Sequence, residues 1–469
     1  MGYVKNRATL LATGAAALRE VVLDLAEAGL AAADPEQAVY RVLRSEGEHV
    51  RVAGRTIELA RGGSIFVVGA GKATYPIAKA LDAMLGARIA RGAITCKYGQ
   101  PGTLDHIDVQ LASHPLPDAA SVAAAARAVR MLDDVRPGDL VFACFTGGSS
   151  ALFVSPVEGV TLADLAATYR TLLNSGADIF EINAVRKHLS TVKGGRLARR
   201  LPAGCSLVNL TVSDVIGDRL DYITDPTVPD TSSFADAWAT LDKYRLWARL
   251  PEPVAAYLRR APPQGETVRA AELAHLERTD VLLVKGDAAC RGAAAAARER
   301  GLQPLLLSTF FDGESSALAR NLIAVAKQAA FSGEPAAPPC VLIAGGETTV
   351  TVGTSAACGE AASGGPNQEF AVAAALALSE TPGIVALGID TDGTDGPTRY
   401  AGAIADGQTL AIARRNGVDL QAALACHDVT PALLRAGHIV ETGATGTNVN
   451  DLKLVAVAPR LRQPDSPSQ

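Results

Sequence analysis

The chain has 469 residues, 48% hydrophobic and 20% charged, with a formal net charge of −5 at pH 7. That length is too great for one ordinary core and calls for two or three domains, while the balance of apolar and charged residues excludes disorder. The acidic balance excludes a dedicated nucleic-acid binder, though not a local basic pocket for a small anion, and no apolar run reaches membrane-spanning length, so neither nucleic acid nor membrane is an expected partner.

The N-terminal stretch LLATGAAALREVVLDLAEAGLAAA carries Arg19, Glu20, Asp24 and Glu27, so it reads as an amphipathic helix and not as a signal peptide. Asp34 and Pro35 then suit the N-cap and first position of a second helix. SIFVVGAGKATYPIAKALDAML passes from a β-branched run, through glycines, into a helical period. The same grammar recurs at DLVFACFTGGSSALF, CSLVNLTVSDVIGD, DVLLVKGDAACRGAAAAA, PCVLIAGGETTV and GIVALGIDTDGTDG. Strands alternating with helices predict an α/β fold with mostly parallel sheets. The pattern weakens at RLPEPVAAYLRRAPPQGETV, which predicts a boundary near residue 262. The expected domains are residues 1–262 and 263–460, with a disordered Pro/Ser tail over 461–469. Seven cysteines (96, 144, 205, 290, 340, 358 and 426) form no C-x-x-C pair and read as the reduced thiols of a cytoplasmic protein, with no zinc site or disulfide framework.

Polar residues gather at the predicted strand ends, where open α/β sheets bind ligands. In VVGAGKAT, Gly69 and Gly71 allow a tight turn and Lys72 opens a helix; the Walker A pattern is not met, and Thr74 occupies the third small position of the dinucleotide fingerprint. In FTGGSSALF, Thr146, Gly147, Gly148, Ser149 and Ser150 offer successive backbone N–H groups and hydroxyls as an anion nest, while the hydrolase elbow G-x-S-x-G is absent. The basic run INAVRKHLSTVKGGRLARR sets Arg186 and Lys193 seven residues apart, nearly one helical face, with Arg196 a turn later; a solvated basic face is its ordinary reading. Asp214 in TVSDVIGD ends a β-rich run, as a general base or metal ligand would. Further on lie Glu347 in GGETTV; Asn367, Gln368 and Glu369 in GGPNQEF; and Thr445 and Asn448 in TGATGTNVND, each of which also suits a turn or helix cap. GIDTDGTDGP crowds Asp390, Asp392 and Asp395 into one strand-end loop. An EF-hand is excluded, because counting from Asp390 the sixth residue is Asp395 and the twelfth Ala401. A metal–phosphate site and simple capping of the next helix both remain open readings.

GAGKA, INAVRKHLSTVKGGRLA, SDVIGD, DPTVPD, GGETTV, NQE, DGTDGP and TGTNVND, in this order, resemble the glycerate 2-kinase family, the class II glycerate kinases with a C-terminal MOFRL domain. The likeness runs over about residues 5–458. It implies two α/β/α domains, a Rossmann-like N-terminal one and a MOFRL-type C-terminal one, with an interdomain cleft. It also implies an ATP- and Mg2+-dependent, cytoplasmic enzyme that phosphorylates the 2-hydroxyl of D-glycerate or a related small hydroxy acid, with a homodimer open as its assembly. Some relatives carry a hydroxypyruvate reductase label, which keeps an NAD(P)H-dependent reductase, or a kinase for another sugar acid such as a C4 aldonate, as alternatives. The resemblance puts the catalytic lysine on Lys72 and the S-D-V aspartate on Asp214, and has Asp390, Asp392 and Asp395, the candidate Mg2+ ligands, face the phosphates through that ion or through glycine-rich backbone. The family's arginine in GGRNQE is here Pro366, with Arg399 in GPTRYAGA as the expected substitute cation; Asp225 replaces a glycine, and FTGGSS stands for SGGGSS.

Overall fold

A computed structural model describes residues 2–47, 49–100, 102–218, 220, 226–352 and 363–459. The chain folds into two compact units, residues 35–285 and residues 1–34 with 286–469.

Within residues 35–285 the helix predicted at Pro35 runs Pro35–Val42. A small antiparallel meander follows, β1 (Leu43–Glu46), β2 (His49–Val52) and β3 (Arg55–Glu58). The main sheet is built from β4 (Ile65–Ala70), β5 (Ile89–Lys97), β6 (Asp108–Ala112), β7 (Leu140–Phe145), β8 (Ser206–Val212) and β9 (Glu277–Val284). Its spatial order is β6-β5-β4-β7-β8-β9 with every pair parallel. This is the doubly wound order 3-2-1-4-5-6, whose topological switch point falls between the first and fourth strands, β4 and β7. Both strands are buried along their whole length, as a sheet covered on both faces requires. Phe66, Val68, Val141 and Leu207 share a core with Ala125, Ala128 and Met131 of the helix Ala119–Leu132. Between β7 and β9 the chain inserts the helices Leu162–Leu173, Ile179–His188, Phe234–Lys243 and Glu252–Arg260, which have a core of their own around Leu165, Tyr169, Phe234 and Leu258.

The other unit holds β10 (Gln303–Phe311), β11 (Cys340–Gly346), β12 (Ile384–Asp390), β13 (Gly402–Asp406), β14 (Ile439–Val440) and β15 (Asp451–Val457), in the order β10-β11-β15-β12-β13-β14. Only β10 and β11 pair in parallel; β15 returns between β11 and β12 antiparallel to both, and the β12–β13 and β13–β14 pairs are antiparallel as well. The expectation of a mostly parallel sheet therefore holds for the first unit and fails here. Leu318 and Leu322 of the helix Ser315–Ser332, with Phe370 and Ala374 of the helix Pro366–Leu378, cover Leu342 and Val455 of this sheet.

The boundary expected near residue 262 is also displaced. The proline-rich stretch is a packed helix whose Val254 and Leu258 are fully buried, and β9, beyond it, completes the parallel sheet. The N-terminal helix Ala16–Ala32 joins the unit of residues 286–469. Its Gly29 lies where a Cβ would come within 2.8 Å of the Ala289 carbonyl, so it meets the helix Ala288–Glu299 closely. Five cysteines are buried free thiols, whereas Cys426 is disulfide-bonded, contrary to expectation. Cys358 and Asp225 lie outside the described residues.

Candidate active site

The carboxyl ends of β4, β7 and β8 gather the first set of predicted residues. After β4 the chain turns through Gly71, whose φ of +144° only glycine adopts comfortably. A Cβ there would begin 2.1 Å from Thr146 Oγ1, which occupies the space above the turn. The turns after β4 and β7 are stitched together: Thr146 N–H donates to the Ala70 carbonyl (3.0 Å), Lys72 N–H to the Gly147 carbonyl (2.8 Å) and Ala73 N–H to Thr146 Oγ1 (3.1 Å). Thr74 Oγ1 donates to the Cys144 carbonyl at 2.9 Å, locking the start of the helix Thr74–Leu85 onto β7.

The two glycines after Thr146 organise the site. A Cβ on Gly147 would begin 1.8 Å from Asp214 Oδ2; one on Gly148 would lie 3.4 Å from Lys72 Cγ and 3.3 Å from the His114 ring. The carboxylate and the lysine thus approach opposite members of one Gly-Gly pair at the switch point of the sheet. The N–H groups of Gly147 and Gly148 donate to no group among the described residues, which leaves them available to an anion. Ser149 and Ser150 open the short helix Ser149–Leu152.

The basic run behaves differently from expectation. The helix ends at His188, so Arg186 and Lys193 do not share a helical face, and all of Arg186, Lys187, Lys193 and Arg196 are buried. Arg186 lies over the Tyr169 ring (4.5 Å to its centroid). Lys187 pairs with Asp230. Arg196 donates to the carbonyls of Lys187, Lys193 and Gly265, and burial pushes its pKa down to about 10. Lys193 reaches the site indirectly: its Nζ donates to the Ser149 carbonyl at 3.2 Å, holding the glycine turn from behind. Arg186 and Lys193 are thus interior side chains, set against Tyr169 and the Ser149 carbonyl.

In the other unit, the loops at the ends of β11 and β12 and the start of β15 form a buried polar network. Asp395 accepts from the N–H of Asn367 (3.0 Å), the N–H of Gln368 (2.8 Å) and Asn367 Nδ2 (3.1 Å), so it caps the helix Pro366–Leu378. Burial raises its pKa to about 7 despite these bonds. Asn367 Nδ2 also donates to Asp451 Oδ1 at 2.6 Å, and Asp451 is paired with Lys453. Asp390 accepts from Asp392 N–H, and Asp392 from the N–H and hydroxyl of Thr394. Among the described residues no three His, Cys, Asp or Glu side chains come together as a metal site. Asp395 is thus a buried helix cap, while Asp390 and Asp392 accept hydrogen bonds from the N–H groups of their own loop.

Gln368 and Glu369 are also interior, bonded to Thr430 and His427 respectively, and burial raises the Glu369 pKa. Thr445 Oγ1 donates to the Thr391 carbonyl, tying the TGATGTNVND loop to the aspartate loop, while Asn448 is almost buried beside it. Glu347 is exposed after β11. Arg399 is exposed and lies against Tyr400, to whose hydroxyl it donates at 3.2 Å. Pro366 is the first residue of its helix, with its carbonyl accepting from Ser315 Oγ, which suits a residue with fixed φ and no N–H.

Sequence reasoning missed His114. It follows the edge strand β6, whose sequence DVQLA presents no long apolar run; a His-Pro pair in such a loop reads as a turn. The strand-end position itself was the available signal.

These features agree with three comparisons. Residues 21–259 match the family described as "Domain of unknown function (DUF4147)", and residues 340–451 match the MOFRL family. A protein of Pyrococcus horikoshii named glycerate 2-kinase is 37% identical over 441 residues, covering 94% of this chain and 97% of its own length. The chain belongs to the glycerate 2-kinase family. Another member, from Agrobacterium vitis, is named putative hydroxypyruvate reductase and is 39% identical over 94% of both chains. A crystal structure named as glycerate kinase from Thermotoga maritima superposes with a TM-score of 0.79 at 34% identity, covering 94% of this chain and all of that one.

Proposed function

We propose that this member of the glycerate 2-kinase family transfers the γ-phosphoryl group of ATP to the 2-hydroxyl of D-glycerate. The observation that carries the reading is the Gly147–Gly148 pair flanked by Asp214 and Lys72. Phosphoryl transfer asks a protein chiefly for positioning and for positive charge on the transferring oxygens. Lys72 supplies that charge, the Gly147 and Gly148 N–H groups offer hydrogen bonds to phosphate oxygens, and Asp214 accepts the proton of the attacking hydroxyl. Lys193 keeps the turn in place from its far side. Mg2+ bound with the nucleotide would neutralise charge on its phosphates. A cytoplasmic location belongs to the same reading; no described helix is long and apolar enough to cross a membrane.

A nicotinamide-dependent reductase is disfavoured by two details of the turn after β4 and one at the end of β5. The second glycine of a dinucleotide fingerprint must leave room for pyrophosphate, and here Thr146 Oγ1 fills that room. Thr74, in the third small position, is bonded into β7. Finally, β5 ends on Lys97, not on a ribose-binding acid. The test is to supply purified protein with ATP, Mg2+ and D-glycerate, and separately with NADH or NADPH and hydroxypyruvate. Formation of ADP with 2-phosphoglycerate is expected; nicotinamide oxidation without ADP would reverse the assignment.

A further inference from the structure

His114 lies two residues beyond the end of β6, the edge strand of the parallel sheet. From that edge the chain turns inward past the ends of β5 and β4, and the half-buried imidazole meets the turn after β7. Its Cδ2 and Nε2 are the ring atoms nearest Gly148, 3.3 and 3.4 Å from the point where a Cβ would sit, and Lys72 Cγ is 3.4 Å from that point. The Nε2 edge of the ring and the stem of Lys72 therefore share the space left by one absent side chain. Gly148 itself is left-handed, with φ of +88°, so glycine is needed there for backbone as well as for space. Asp214 approaches the other glycine of the pair, so proton acceptor and cationic groups are divided between Gly147 and Gly148.

We infer that His114 is a catalytic residue: its Nε2–H donates a hydrogen bond to a non-bridging oxygen of the phosphoryl group in flight, beside Lys72. The inference rests on the kinase reading and adds a donor to it. A phosphoryl group leaving ATP spreads negative charge over three oxygens, and one ammonium with two backbone N–H groups does not surround them. An imidazole can present hydrogen at Nε2 in either the neutral or the protonated state, so the contact does not depend on the ring being charged. Nothing in the proposed step changes the bonding of the ring; the transferred proton goes from the glycerate hydroxyl to Asp214, and the P–O bond breaks toward ADP.

The test compares wild type, His114→Ala and His114→Gln, the glutamine amide placing an N–H near the position of Nε2. Glycerate-dependent ADP release gives kcat and KM for each substrate, and circular dichroism with thermal melting checks the fold. Removal of a preorganised donor to transition-state charge lowers kcat by about 10²–10³-fold. The expected result is a loss on that scale in His114→Ala, carried by kcat with KM for glycerate little changed, and recovery of at least tenfold in His114→Gln. His114→Ala with kcat within threefold of an active wild type overturns the role of the histidine while leaving the kinase reading intact. So does an equal loss in both variants accompanied by a lowered melting temperature, which marks a structural role. A wild type that makes no glycerate-dependent ADP overturns the kinase reading itself, and this role with it.

Discussion

Gly147 shows how much of the site is set by a missing side chain. Its φ lies outside the left-handed region, so alanine meets no backbone strain there, yet a methyl group would begin 1.8 Å from Asp214 Oδ2. Gly147→Ala must therefore displace the carboxylate or the turn. With the fold intact by circular dichroism, we expect kcat to fall by about 10²-fold or more, approaching the loss from removing the base itself; unchanged kcat would show that the contact has no catalytic consequence. At this scale the sequence was legible where a glycine or a charge followed a buried strand, as at Gly71, Lys72, Gly147 and Asp214. It was misleading where a polar residue turned inward. Asp395 sits in a loop with the composition of a metal site, yet it caps the helix Pro366–Leu378, a role set by loop conformation that composition does not carry.

Among the elements, the helix Pro366–Leu378 is the clearest case of a start built by a distant residue. Its N-cap Gly365 has no side chain to offer, and Asp395 supplies the acceptor instead. Burial raises the Asp395 pKa from 3.8 to about 7. The folded state therefore binds its proton more tightly than the unfolded chain. That contribution to stability is full below the unfolded value and is lost as pH rises through about 7. In Asp395→Asn the amide oxygen can serve the Asn367 donors but its NH2 faces the Gln368 N–H, so the variant should be less stable than wild type at pH 5. Because wild type loses its protonation advantage on the way to pH 8, the gap should narrow by on the order of 2 kcal/mol, read from urea midpoints. A gap that widens with pH would contradict the raised pKa. The parallel strands β4 and β7 were legible because strands covered on both faces are continuous apolar runs. The antiparallel return of β15 between β11 and β12 was not, since pairing partners 60 and more residues apart leave no local trace.

Over the whole molecule, the least legible feature is the placement of the first 34 residues with the unit of residues 286–469. Arg19, fully buried, donates through Nε to Asp406 at 2.7 Å and through Nη1 to the Leu10 carbonyl, with Nη1 3.2 Å from His438 Nδ1. An arginine on an amphipathic helix reads as a surface charge; only the long-range contact makes it interior. Desolvation, then the nearby guanidinium, lowers the His438 pKa from 6.5 to about 4. Since the unfolded histidine binds its proton first, this contribution is present above about pH 6.5 and is lost as pH falls toward 4. Relative to His438→Gln, which keeps an acceptor for Arg19 but does not titrate, wild type should lose about 2 kcal/mol between pH 7 and pH 5. Parallel pH profiles of the two proteins would show that the ring is not held neutral.

The central claim, that chemistry occurs where Asp214 and Lys72 meet the Gly147–Gly148 turn, is tested most directly by Asp214→Asn, which keeps the shape of the side chain and removes its basicity. Glycerate-dependent ADP formation by this variant, with the fold verified, should show kcat reduced by about 10²–10⁴-fold, with nucleotide binding retained. Turnover close to that of wild type would contradict the claim and remove the proton-accepting role from Asp214.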